Sequence, residues 1–535
     1  MTVTRRTVLL GASAAAAYVA GAHRVPARAQ APEPAPVAGG VLRMLMSVEP
    51  PSLTSAVNSS LWIACLSTKM MEGLIAYDHE MGLKPLLAES WDFAADGLTI
   101  RFNLRRGVVW HDGKPFTAAD VRFSMESVWK KLHPGGRAIF ANVVASETPD
   151  DHTIIFRLSE PSSSIPAFLN SYNAQVVPQH VFGTGDILQN PALNAPIGTG
   201  PFMFKEWRKG QHVELVKNPR YWDKGKPHLD GIFARFVADA GSRAAAFEAG
   251  EVMYAPFSPV AAGDVERIRT VPNLKVETRG YHAFGVVLAT EINTQSGPLK
   301  DVRVRRAIRM AIDSKFIADN VWFGLAGVPP GVLPTESPWR ARDVPAWPFD
   351  TARANRLLDE AGLPRKERNM RFPLRIVFGQ TGENARTAEY LRQALARIGI
   401  EIKLESGDLG TNIRRVYTER DFDLTVNTLF LTQDPAVGLR RLAWEGMTAR
   451  GIPFGNASGY YNPELNRLYL EGMRTVERDK RFAIFAQMQK TLVEDVPIIY
   501  LVEPRFYTLH NTRFHGHTRQ ADSPYDTFAD AFVTA

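Results

Sequence analysis

Apolar positions along this 535-residue chain recur with two alternating periods. Residues 99–110, "TIRFNLRRGVVW", place Ile100, Phe102 and Leu104 on one face, the period-two mark of a half-buried strand. Residues 116–132, "FTAADVRFSMESVWKKL", switch to a helical period, with Val121, Met125, Val128 and Leu132 in line. Thr117 caps this predicted helix, Asp120 sits at its third position, and Phe116 is placed to staple onto Val121. Between the two elements, "WHDGKPF" is turn chemistry. A histidine and an aspartate adjacent in sequence rarely converge on one reacting atom, so His111 and Asp112 read as parts of the turn and not as a catalytic pair.

The second half repeats the alternation. "LRIVFG" (374–379) reads as an apolar strand, and "IEIKLE" (400–405) as an alternating one. Between them lies a helix with Ala388, Leu391, Leu395 and Ile398 inward. Strand, helix and strand at this spacing predict a right-handed crossover and a parallel pair. "DVRVRRAIRMAI" (301–312) is another helix, capped by Asp301, with Val304, Ala307, Ile308 and Ala311 inward. Its arginines at 303, 305, 306 and 309 avoid the apolar stripe and are expected on a solvated face. The fold class is α/β, and the length predicts two to three domains.

Charge and composition narrow the function classes. Hydrophobic content of 45% and charged content of 22% describe a globular protein. The formal charge of +7 includes Arg5, Arg6, Arg24 and Arg28, all in an acid-free first thirty residues. The remaining excess is weak and shows no basic run, so no nucleic-acid partner is expected. The first segment has a basic start, an apolar stretch from Val8 to Ala22 and small residues at Ala27 and Ala29. It reads as an export signal over 1–29, cleaved near Ala29, because the stretch is too short and too weakly apolar to anchor a span. Thr4-Arg5-Arg6-Thr7-Val8-Leu9 resembles the twin-arginine signal, with Val8 where Phe is usual; general secretion is the other route. Residues 30–39 form a Pro/Ala leader, and the mature protein is expected to be periplasmic.

Catalytic motifs are missing. "GNASG" (455–459) has the wrong spacing for a nucleophile elbow, and H-E-x-x-H and G-x-x-x-x-G-K-[ST] are absent. "GTGPF" (198–202) reads as a turn into a strand. Cys65, the single cysteine, excludes an internal disulfide and thiolate metal clusters. His515 and His517 lack a nearby carboxylate cluster and are expected to be solvent-exposed, so neither a metal nor a cofactor is predicted.

One long run carries a resemblance: residues 70–128, with Glu72-Gly73-Leu74, Pro85-x-Leu87-Ala88-Glu89-Ser90-Trp91, Asp96-Gly97, and His111-Asp112-Gly113-x-Pro115-Phe116-x-Ala118-x-Asp120-Val121. It resembles the family 5 extracytoplasmic solute-binding proteins, the oligopeptide-, dipeptide- and nickel-binding components of ABC importers. Further matches follow in order: "GTGPFMFKEW", "NPRYWDKGKPHLD", "PLKDVRVRRAIRMAID", Asp434-Pro435, "YYNPELNRLY" and "DVPIIYL". The resemblance implies a periplasmic-binding protein of type II, two α/β lobes joined by crossing strands with an extra domain inserted in the first lobe. On that reading, lobe I comprises 40–75, 190–275 and 505–535, the inserted domain 76–189, and lobe II 276–504. It implies a monomer that is no enzyme, closes about a hinge on a small solute and delivers it to permease subunits in the inner membrane.

Some positions depart from the pattern. Peptide-binding members of the family hold the ligand's amino group with an aspartate four residues before the lobe II proline, and carry a tryptophan three residues before that aspartate. Here those positions are Leu431 and Thr428, so no carboxylate meets an ammonium there, which weakens a peptide assignment. Asp434 reads as a cap of the turn after residues 432 and 433. The candidate ligand-binding residues are the stretch from Asn427 to Asp434, above all Asn427, Thr428, Leu431 and Asp434, with Trp62 and, on the expected crossing strand "RGYHAFGVVL", Tyr281 and His282. The alternatives are an exported α/β hydrolase without a recognisable motif and a receptor-like protein serving a sensor or acting as a chaperone.

Overall fold

The computed structural model describes residues 33–535 except 380, 381, 432, 433 and 453. The expected export signal and the first three residues of the leader lie outside the described residues. Two large sheets organise the rest. The first has seven strands, in the order Leu274–Glu277, Thr508–Asn511, Tyr254–Ala255, Val41–Met46, Gly231–Phe236, His212–Lys217 and Phe202–Arg208. The second has six, in the order Ala326–Gly327, Ile498–Pro504, Val286–Glu291, Leu424–Phe430, Phe372–Gly379 and Ile400–Gly407. A separate four-stranded antiparallel sheet runs Ala88–Phe93, Thr99–Leu104, Thr153–Leu158 and Val143–Asp150.

The chain passes between the two large sheets twice, from Leu274–Glu277 to Val286–Glu291 and from Ile498–Pro504 to Thr508–Asn511. The crossing segments are antiparallel partners at both ends, because Leu274–Glu277 pairs with Thr508–Asn511 and Val286–Glu291 with Ile498–Pro504. The first crossing is not a continuous strand as expected. A 3₁₀ turn over His282–Phe284 interrupts it, and Gly285 follows at φ 52°, a left-handed conformation that glycine adopts without steric cost.

Local chemistry explains the elements near these crossings. Strand Thr99–Leu104 buries Ile100, Phe102 and Leu104 on one face. Helix Ala118–Phe123 starts at a capping box between Thr117 and Asp120. In the intervening turn, His111 does not pair with Asp112. Its ring bridges backbone, accepting from Gly198 N–H at 3.1 Å and lying 3.1 Å from the Gly200 carbonyl, and burial pushes its pKa down to about 4. Asp112 pairs instead with His180 at 2.7 Å. Gly198 and Gly200 are fixed by proximity, since a Cβ there would lie 1.9 and 2.7 Å from the Met70 carbonyl oxygen.

The parallel pair is present, with Phe372–Gly379 against Ile400–Gly407 in register from Phe372↔Ile400 to Gly379↔Gly407. Ala388, Leu391, Leu395 and Ile398 all face the core. Helix Val302–Met310 corrects one expectation. Arg305 is buried, and its guanidinium donates to the carbonyls of Leu299, Lys300 and Asp495. A planar fork of donors satisfies carbonyls at the ends of a turn and a helix that no apolar residue could satisfy. His517 is likewise buried, stacked on Phe514 at 5.0 Å, and not solvent-exposed. Among the described residues no cluster of three or more His, Cys, Asp or Glu is arranged to hold a metal, and no helix is long and apolar enough to cross a membrane.

Candidate functional site

Strands Phe372–Gly379, Ile400–Gly407 and Leu424–Phe430 run parallel, and their carboxyl ends open on one cavity of about 1000 Å³. Gly379, Gly407 and Phe430, each the last residue of its strand, line it. Ligands of open α/β sheets bind in the crevice beyond the carboxyl ends of the strands. A second cavity of about 340 Å³ shares Ser59, Phe430 and Val437 with the first. Its remaining walls include Asp522 and Tyr525, which follow strand Thr508–Asn511 of the seven-stranded sheet, Tyr77, Phe168 and Tyr172, which flank the four-stranded sheet in sequence, and Phe284 of the first crossing.

The larger cavity has a polar wall anchored by one buried ion pair. Arg441 Nη2 donates to Glu291 Oε2 at 2.5 Å and to the Gly455 carbonyl at 3.0 Å, while the Tyr417 hydroxyl donates to Glu291 Oε1 at 3.1 Å. Burial alone lowers the Arg441 pKa, and Glu291, with Tyr417 and Tyr500 beside it, more than reverses that. Burial and then the same glutamate push the Tyr417 phenol upward, so it stays a neutral donor. Asn427, on the strand beside it, lies 3.5 Å from the Tyr417 hydroxyl and 3.4 Å from Thr425 Oγ1. Arg440, half-buried on the same wall, forms no ion pair with any described residue.

The structure therefore brings Asn427, Thr428 and Leu431 together on the larger cavity and puts Asp434 on the smaller. The side chain of Leu431 is buried within an apolar cluster, and its backbone N–H donates to Gly285 O of the first crossing at 2.9 Å. Asp434 caps the turn Pro435–Gly438, accepting from Ala436 N–H, and both its oxygens accept from Arg481. Trp62 lines neither cavity; its ring packs edge-on against Phe257 at 5.6 Å. Tyr281 and His282 line a third cavity of about 370 Å³ with Arg279, Glu336 and Glu503. The Tyr281 hydroxyl is used structurally, accepting from Phe257 N–H and lying 2.7 Å from Thr508 Oγ1, so it ties the first crossing to the second.

Sequence reasoning missed Ser59, Val437, Arg440, Asp522 and Tyr525, and took in Phe430 only as part of the stretch from Asn427 to Asp434. Phe430 carried a readable signal, since it ends an apolar strand on the same alternate positions as Thr428. Asp522 and Tyr525 sit in a C-terminal segment with no periodicity, and only the fold brings them to the cavity.

Two sheets joined by a double crossing, with a cavity of about 1000 Å³ at the strand ends, define a two-lobed solute-binding architecture. Residues 82–441 match the model of the bacterial extracellular solute-binding proteins, family 5 middle, and the chain belongs to that family. It is 29% identical over 478 residues to the Probable di/tripeptide-binding protein 5 of Pseudomonas aeruginosa, covering 84% of this chain and 87% of that one. It is 26% identical over 474 residues to the glutathione-binding protein GsiB of Pectobacterium atrosepticum, covering 86% and 88%. Among solved structures, AgaA of A. tumefaciens R10 in complex with agropinic acid superposes with a TM-score of 0.74 at 26% identity, over 93% of this chain and 99% of that chain. NikZ of Campylobacter jejuni in complex with Ni(L-His) shares the fold with a TM-score of 0.75 at 20% identity, over 91% and 99%. The fold is that of the type II periplasmic binding proteins, mixed α/β.

Proposed function

We propose that the protein is the solute receptor of an ABC importer, holding a small polar solute in the gap lined by both cavities. One observation carries the reading. Ser59, in the segment after the first strand of the seven-stranded sheet, and Phe430, at the end of a strand in the six-stranded sheet, line both cavities together. A solute touching both residues favours the arrangement in which they approach, which is what a ligand must do to bias a hinge. The double crossing, with Gly285 at its centre, is the element about which such closure turns.

On this reading the seven-stranded sheet belongs to lobe I (40–75, 190–275 and 505–535), its strand Leu274–Glu277 running two residues past that bound, the six-stranded sheet to lobe II (276–504), and the four-stranded sheet to the domain inserted at 76–189. The protein is exported by a twin-arginine-like signal cleaved near Ala29, acts in the periplasm as a monomer, performs no chemistry on its solute and passes it to a membrane permease. Asn427 and Thr428 supply side-chain polarity to the solute, Arg440 offers a guanidinium to an acidic group, and Leu431 contributes apolar wall. Two of the relatives are named for di/tripeptides and glutathione, and two solved structures of this fold hold agropinic acid and Ni(L-His), which supports a small polar solute here.

The test is mass spectrometry of what co-purifies with the protein, followed by thermal unfolding with the recovered solute. A bound solute should raise the unfolding temperature with the logarithm of its concentration once that exceeds Kd, and be recovered unchanged. Multiple-turnover conversion of that solute by the pure protein would sink the proposal.

A further inference from the structure

The smaller cavity is a box of rings. Tyr77, Phe168, Tyr172, Phe284, Phe430 and Tyr525 line it, with Tyr172 and Tyr525 stacked at 4.7 Å and Phe284 against Tyr525 at 5.1 Å. Two carboxylates share the lining, and they differ in one respect. Asp434 is neutralised by Arg481, whereas Asp522 has no ion pair with any described residue. Asp522 is 7% exposed, and its Oδ1 accepts no hydrogen bond among the described residues. The Tyr525 phenol, on a residue 3% exposed, is equally unpartnered.

Nearby charge does not balance this acid. Lys69 is the buried cation of the region, but its ammonium donates to the Pro524 carbonyl at 2.8 Å and lies 4.2 Å from the centre of the Phe528 ring. It forms no ion pair with a described carboxylate. Asp526, also buried, accepts from Gln520, Thr527 and the Phe528 N–H, all neutral donors. No lysine or arginine lines the cavity. A buried carboxylate without a counter-ion is costly, and aromatic faces attract cations most strongly where water is excluded.

We infer that the aromatic cavity beside Asp522 receives a cationic amine of the solute, primary or quaternary, with Asp522 as its counter-ion and the surrounding rings as its cage. The inference rests on the reading of the gap as the solute site. It moves the recognition of positive charge away from position 431, where the resemblance led one to look, to the wall that belongs with the seven-stranded sheet. Burial, with Asp526 close by, pushes the Asp522 carboxyl up to about 7, as befits an acid held without its counter-ion. Together with Arg440 on the larger cavity, it describes a solute carrying opposite charges at its two ends.

The experiment is thermal unfolding of the full mature chain, first freed of co-purified solute, at millimolar concentrations of choline, of propylamine, and of the uncharged isostere of choline in which carbon replaces nitrogen. Either amine should raise the unfolding temperature while the isostere does not. Asp522→Asn should weaken the effective amine at least about tenfold. Tyr525→Phe, which preserves the packing, should weaken it by a smaller factor and keeps the test open if Asp522→Asn does not fold. Stabilisation by the isostere equal to that by the amines, no response to either amine, or a full response in both variants overturns the inference. A recovered solute lacking any amine also overturns it while leaving the receptor reading intact, whereas turnover of the solute removes the receptor reading and not the amine response.

Discussion

Asp434 and Arg481 meet as a closed fork, Nη1 donating to Oδ2 at 2.8 Å and Nη2 to Oδ1 at 2.6 Å, with the side chains 10% and 3% exposed. The pair joins the turn that follows the cleft strand to helix Arg478–Asp495, and Arg481 Nε donates further to the Gly472 carbonyl. Removing one member leaves a buried charge without its partner, which costs about 3–5 kcal/mol. Asp434→Leu is therefore expected to lower the unfolding free energy by about that amount in urea titration. Adding Arg481→Met should restore much of the loss, because an apolar pair no longer strands a charge. A double variant as unstable as the two single losses combined would mean that the two side chains are uncoupled and would refute the stranded-charge account.

Glu72 governs part of the pH dependence. Its oxygens accept from Thr199 at 2.9 Å, Tyr221 at 2.8 Å and Trp222 at 3.0 Å, yet burial outweighs these donors and pushes its pKa from 4.5 up to about 7. Between those two values the folded protein holds a proton that the unfolded chain releases, so unfolding becomes easier as pH rises through this window. The loss is at most about 3 kcal/mol. Asp522 adds a loss of the same sense. Glu72→Gln, whose carbonyl can still accept from Trp222 and Thr199 while its amide donates to the Tyr221 oxygen, should flatten the fall in stability between pH 4.5 and 7 without abolishing it. Chemical denaturation at several pH values checks this, and an unaltered slope would refute it.

The local rules carried the elements, and the long-range charges escaped them. Thr117 and Asp120 announce a capping box because their partners lie three residues away, and Ala388, Leu391 and Leu395 announce a buried stripe by spacing alone. Arg305 was misjudged because its spacing sets it off the apolar stripe together with Arg303, Arg306 and Arg309, whereas its partners are the carbonyls of Leu299, Lys300 and a residue 190 positions away. The candidate site divided in the same way. Asn427 and Thr428 could be found because a family pattern marks their strand, while Asp522 reaches the cavity only through the second crossing and the loop beyond it. No periodicity links residue 522 to residue 77.

Gly280 holds the first crossing against that loop. At φ 80° it occupies left-handed space, it accepts from the Ser523 N–H at 2.9 Å, and a Cβ would lie 2.2 Å from Ser523 Oγ. Gly280→Ala combines about 1–2 kcal/mol of backbone strain with a clash against Ser523. It is expected to destabilise the protein by more than about 2 kcal/mol and to displace Asp522, which precedes Ser523. Ser523→Gly in the same chain removes the clash and leaves the strain, so it should recover part of the loss. No recovery would mean that the strain alone accounts for the effect.

Phe430 separates ligand binding from stability most cleanly. It is 46% exposed at the end of its strand, lines both cavities, and its neighbours on the cleft include Ser59 and Val437. An aromatic ring left half in water contributes little to the ligand-free fold, so Phe430→Ala should change the unfolding free energy by no more than about 0.5 kcal/mol. A solute closing the gap buries that ring. At about 25 cal/mol per Å² of apolar surface, losing it removes roughly 1–2 kcal/mol of binding, a tenfold order of weakening. Isothermal titration of the solute recovered from the wild-type protein measures this directly. Undiminished affinity in a correctly folded Phe430→Ala variant would place the solute elsewhere and with it the closure of the two sheets.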